Sequence, residues 1–119
     1  MAEVLNLSVS RDDSWEENMQ VTVSNEGGKT TIKLSGRFDF NTHREFRAAY
    51  EPLITDATVR GVVVDFSGVD YLDSSALGML LMLRDKMGGG NKDVALTGVR
   101  GNVKQVLDIA NFGKLFQIS

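Results

Sequence analysis

Apolar residues recur at every second position in two stretches, Val21 and Val23 in VTV and Ile32 and Leu34 in TIKL, with NEGG between them. Alternation of period two marks strands with one buried face, and glycine-rich turn residues between two such runs predict an antiparallel hairpin. Leu5, Leu7 and Val9 alternate in the same way upstream. Residues 1–18 therefore read either as an extra edge strand or as an acidic leader carrying Trp15. Near Met19 the acidic RDDSWEEN gives way to this alternating pattern, which predicts a domain over residues 19–119.

After RFDF the period lengthens. Thr42 is placed to cap a helix running to about Leu53, with Phe46, Ala49, Tyr50 and Leu53 on one face and an end near the only proline, Pro52. GVVVDF is a continuous β-branched run, which predicts a central strand covered on both faces. Ser74 to Met87 predicts a second helix, stopped by Gly88, Gly89 and Gly90 in a left-handed cap. DVALTG predicts a strand, NVKQVLDIA a helix burying Val103, Val106, Leu107 and Ala110, and LFQI a last strand. The order β-β-α-β-α-β-α-β predicts an α/β fold, a sheet with crossover helices packed against it.

The second helix carries the candidate chemistry. At about 100° per residue, Ala76, Met79, Leu80, Leu83 and Met87 share the core arc. Ser75, Gly78 and Met82 line one flank at i, i+3 and i+7, where a partner can approach closely. Leu77 and Leu81 lie on the other flank and leave the helix more apolar than one core face requires. Asp73 or Ser74 caps the first turn. Ser75 is then superfluous as a cap, and free amides with a partial positive charge at a helix N-terminus favour an added phosphate there. Such a phosphate beside Asp73 repels a partner rather than reorganising the fold.

Composition narrows the classes further. The chain has 119 residues and 42% hydrophobic content, which suits one domain with a real core. No apolar stretch reaches the roughly 18 residues of a membrane helix. There is no export signal and no cysteine, which together point to the cytoplasm. Net charge is −3, and five of the acids fall in residues 1–18, leaving a nearly neutral body without the basic stripe that nucleic acid requires. Asp65, Asp70 and Asp73 lack the spacing of a calcium loop, GGGNKD and FGKL complete no P-loop, and no G-x-S-x-G elbow is present. The lone His43 sits at a predicted helix start, so the chain reads as a binding module, with no enzyme activity, cofactor or metal expected.

The motifs LSGRFDF, VVVDFSGVDYLDSSALGMLLML and VKQVLDIANFGKLFQI resemble, in order and from about residue 19 to the end, the STAS domain family, specifically bacterial anti-sigma factor antagonists. That resemblance implies a small mixed sheet with helices packed on one side. It also implies partner switching: the unphosphorylated protein binds an anti-sigma factor, a serine kinase (often the anti-sigma factor itself) phosphorylates it, and a PP2C-type phosphatase resets it. The family's phosphoacceptor falls on Ser75, and its interaction surface falls on Asp39, Asn41, Asp73, Ser74, Leu77, Gly78 and Met82. The wording of RFDFNTHREFRAAY and YLDSSALGMLLMLRD is most similar to proteobacterial members tied to motility or biofilm choice. Two departures stand out: Ala76 replaces a frequent glycine, and the chain stops after LFQIS, before the final helix many members carry. The rival reading is a STAS accessory or scaffold subunit of a membrane transporter or stress-signalling complex, which the fold alone does not separate.

Overall fold

The computed structural model describes residues 3–6 and 20–119. One sheet runs in chain order through β1 (Glu3–Asn6), β2 (Gln20–Glu26), β3 (Lys29–Phe38), β4 (Gly61–Leu72), β5 (Asp93–Thr97) and β6 (Gln117–Ile118). The parallel connections hold α1 (His43–Ile54), α2 (Ser74–Gly88) and α3 (Gly101–Ile109). Strands β1 to β3 pair antiparallel and β3 to β6 pair parallel, so the sheet is mixed. All three parallel crossovers step the same way across the sheet, and right-handed crossovers then place the three helices on one face. Leu7, Val9, Trp15 and the acidic RDDSWEEN lie outside the described residues.

The hairpin forms as its alternation predicts. Val21 faces Leu34, Val23 faces Ile32, and Glu26 pairs with Lys29 across a two-residue turn. Gly27 and Gly28 take φ of 59° and 88°, the positive values that such a turn demands of both central residues. In register with these strands, Val62, Val64 and Leu96 continue the buried face beneath the helices.

The central strand departs from expectation. β4 buries one face, not two: Val62, Val64 and Phe66 point into the core, while Val63, Asp65 and Ser67 stay partly exposed on the far side. The β-branched run is explained by cross-strand packing, since Val63 lies between Thr31 and Ala95 in the ladder. Further along, two register shifts against β3 insert extra residues into β4, and its buried positions change from a spacing of two to three, through Phe66, Val69 and Leu72. These bulges keep the apolar side chains facing inward while β4 bends. They also bring Gly68 so close to β3 that an added Cβ would lie 2.7 Å from the Ser35 Cβ.

Several ends differ from the pattern. α1 runs through Pro52 to Ile54; the missing Pro52 N–H forfeits the bond to the Ala48 carbonyl, and only two helical residues follow it. Thr42 precedes α1 without capping it; its hydroxyl serves Asp39, which caps a short 3₁₀ turn over Phe40–Thr42. The left-handed residue after α2 is Asn91, at φ 63°, and not one of the three glycines; Gly89 keeps a helical φ of −63°. β6 shrinks to Gln117–Ile118 because Phe112–Lys114 form a 3₁₀ turn that buries Phe112 and leads to buried Phe116. A long-range tie closes the opposite end of the molecule from the helix starts: the Lys92 ammonium donates to the carbonyls of Asp56 (2.8 Å) and Val59 (2.7 Å).

Candidate functional site

The site is built where β3 and β4 end side by side. Phe38 and Leu72 are partners in the parallel ladder, so the residues that follow them, Asp39 and Asp73, leave the sheet as neighbours. The Asp73 amide extends the ladder by donating to the Phe38 carbonyl at 3.3 Å. Each aspartate caps the helical turn after it. The Asp39 carboxylate accepts from the Asn41 amide at 3.0 Å, and the Asp73 carboxylate accepts from the Ala76 amide at 3.0 Å. Beneath them Phe38 packs on Phe46, with ring centroids 4.9 Å apart, and on Phe66 at 6.2 Å, which anchors both strand ends to the core.

Of the two residues expected to cap α2, Asp73 does so and Ser74 is exposed in the first turn. The Ser75 hydroxyl donates to the same Asp73 oxygen at 2.6 Å. Partial burial acts to raise the Asp73 pKa, but the Ser75 hydroxyl and the backbone amides of Ala76, Phe40 and Ser75 outweigh it and hold the carboxyl below its ordinary value. The Asp73 carboxylate thereby orients the Ser75 hydroxyl.

Ser75, Gly78 and Met82 line up on α2 along a groove of about 530 Å³, whose other wall is α1 with His43, Phe46, Arg47 and Tyr50. Met82 is 52% exposed. Leu77 turns the other way and packs partly against the core, and Leu81, beside it, is 39% exposed. Asp39 and Asn41 sit on the loop into α1; Asp39 also pairs with Arg37 at 3.6 Å, whose guanidinium lies 4.2 Å from the centre of the Tyr71 ring. The structure thus gathers Ser75, Gly78 and Met82 at the groove, puts Asp39, Asn41, Asp73 and Ser74 at its head, and sets Leu77 apart.

One prominent residue escaped sequence reasoning. Phe40 is 65% exposed at the groove's mouth, stacked on His43 with ring centroids 5.2 Å apart, while His43 Nδ1 lies 2.8 Å from the Phe40 carbonyl. In RFDF it shares the parity of buried Phe38, so alternation points it inward. The strand ends at Phe38, and the capping turn of Asp39 swings Phe40 out.

The family model described as "Mlab, STAS domain" matches residues 21–117. The chain belongs to the STAS domain family. A STAS-domain containing protein of Pseudomonas aeruginosa (strain UCBPP-PA14) is 49% identical over 96 residues, covering 81% of this chain and 93% of that one. The anti-sigma F factor antagonist of Paenibacillus polymyxa is 26% identical over 104 residues, covering 85% and 86%. The crystal structure of an anti-sigma factor antagonist from Mycobacterium paratuberculosis superposes with a TM-score of 0.76 at 21% identity, covering 92% of this chain and 89% of that one. The STAS fold of this chain is therefore that of the anti-sigma factor antagonists, as its motifs predict. Among the described residues no helix is long and apolar enough to cross a membrane.

Proposed function

We propose that this chain is an anti-sigma factor antagonist, a binding module that works in the cytoplasm by partner switching at Ser75. Unphosphorylated, it binds an anti-sigma factor through the head of α2, the Asp39–Asn41 loop and the α2 flank of Gly78 and Met82. A serine kinase transfers the terminal phosphoryl group of a nucleoside triphosphate to the Ser75 oxygen, which loses its proton, and a PP2C-type phosphatase hydrolyses the ester. The observation that carries the reading is a hydroxyl in the first turn of α2, 2.6 Å from a capping carboxylate and lining a groove flanked by exposed Phe40 and Met82.

The physics of the switch is local. Phosphate adds a charge of about −1.5 to −2 beside an ionised Asp73 and an apolar surface. The free amides of the α2 N-terminus tolerate it, so the fold survives. The interface does not, because a partner must now cover an anion with no compensating charge.

The test is an affinity pull-down from host lysate with wild type, Ser75→Ala and Ser75→Glu, with bound proteins identified by mass spectrometry. An anti-sigma factor retained by Ser75→Ala and lost by Ser75→Glu is the expected result. If all three forms instead retain the same membrane-transporter or scaffold subunits, the chain serves as an accessory STAS subunit and Ser75 is only part of a helix cap.

A further inference from the structure

We propose that the groove between α1 and α2 receives an acidic amphipathic helix of the partner protein. This deepens the partner-switching reading and rests on it for the occupant being a protein. The apolar lining of the groove comes from Tyr50 and Met79, with the exposed Phe40 and Met82 at its edges. Two unbranched thioethers side by side adapt to differing apolar side chains, the property of grooves that accept helices.

The walls carry charge of one sign. Arg47 projects from α1 and Lys86 from α2, and among the described residues no aspartate or glutamate lines the groove, the Asp39 and Asp73 carboxylates standing at its head. Arg47 shares its charge with Glu51 through an exposed i,i+4 pair at 3.2 Å, an interaction too weak to hold it from a better partner. Along α2 the distance from Ser75 to Lys86 is about 16 Å at the helical rise, the length of roughly three turns of a docked helix. Apolar residues at i, i+3 or i+4 and i+7 of that helix fill the floor, and acidic residues on its flanks meet Arg47 and Lys86. Ser75 lies in the same groove, so its phosphate repels the acidic helix directly, and occupancy and modification exclude one another.

The experiment is an NMR titration of the ¹⁵N-labelled full chain with two synthetic amphipathic peptides of about 18 residues, long enough to sustain a helix. Both carry the same leucine stripe; one has glutamate and the other lysine on its flanks. The glutamate peptide is expected to perturb Phe40, Gly78 and Met82 and to bind about tenfold more tightly than the lysine peptide, with the preference inverted in Arg47→Glu/Lys86→Glu. Both substituted positions are exposed, and unchanged core resonances verify the fold of the variant. Equal affinities, or shifts outside the groove, overturn the proposal. So does perturbation of the groove by dodecanoate and not by either peptide, which assigns it to a fatty-acyl anion, or concentration-dependent shifts there without peptide, which assign it to a second copy. The peptides stand in for the partner, so a failed titration leaves the pull-down result intact, and a pull-down blind to Ser75 leaves the titration intact.

Discussion

At the scale of single residues, Asp73 ties cap, acceptor and loop together. Its carboxylate holds the Ala76 amide and the Ser75 hydroxyl at once and faces the Phe40 amide. Asp73→Ala is expected to destabilise the protein by about 1 kcal/mol, the usual worth of an N-cap, measured by urea unfolding at neutral pH. The pH dependence has a fixed sign. The carboxyl is lowered on folding, so its contribution is complete above its unfolded value of about 3.9 and is lost as pH falls through the lower folded value. The gap between wild type and Asp73→Ala must therefore narrow below about pH 4; a gap that widens in acid contradicts the assigned hydrogen bonds. The cap was legible in YLDSS because an acid ahead of an apolar helical run has few other uses. Phe40 was not, because the point at which a strand gives way to a turn is set by pairing with β4 and not by local alternation.

At the scale of elements, α2 serves the core on one arc and the groove on another. Ala76, Leu80, Leu83 and Met87 are fully buried, while Gly78 and Met82 remain exposed. A glycine in mid-helix costs about 0.5–1 kcal/mol relative to alanine, and nothing lies within 4 Å of a Cβ added at Gly78. Gly78→Ala is expected to raise the midpoint of thermal unfolding, and a fall would show that the helix does not leave that flank open. Gly68→Ala is expected to do the opposite, because its Cβ meets Ser35 at 2.7 Å across a bulge that cannot spread without breaking the β3–β4 ladder. Helical period predicted the arc on which α2 packs except at Met79, which is only partly buried and also lines the groove. The bulges in β4 had no such signal, since the sequence between Phe66 and Leu72 continues to alternate loosely while the pairing slips.

At the scale of the molecule, the sheet, its three one-sided helices and the loops at each end form one system. The Lys92 ammonium fastens the α1–β4 connection to the start of β5 through two carbonyls more than thirty residues away in sequence. Lys92→Met keeps the stem and removes the donors; it is expected to destabilise by about 2 kcal/mol, as for hydrogen bonds to a charged group, with unfolding still a single transition. Loss of one half of that transition before the other would show the ends to be independent. Hydrophobic period and turn residues determined the order of elements from β2 onward, the hairpin, most of the core arc of α2 and the capped head that carries Ser75, because each depends on neighbours within a few positions; they left the upstream strand β1 open. Only the tertiary structure decided that β4 keeps one face open, that Phe40 is turned out and that α1 and α2 pack so as to leave a groove lined by Met79, Met82, Arg47 and Lys86. Those features depend on the register between β3 and β4 and on the spacing of two helices brought together across the sheet, which no local pattern encodes.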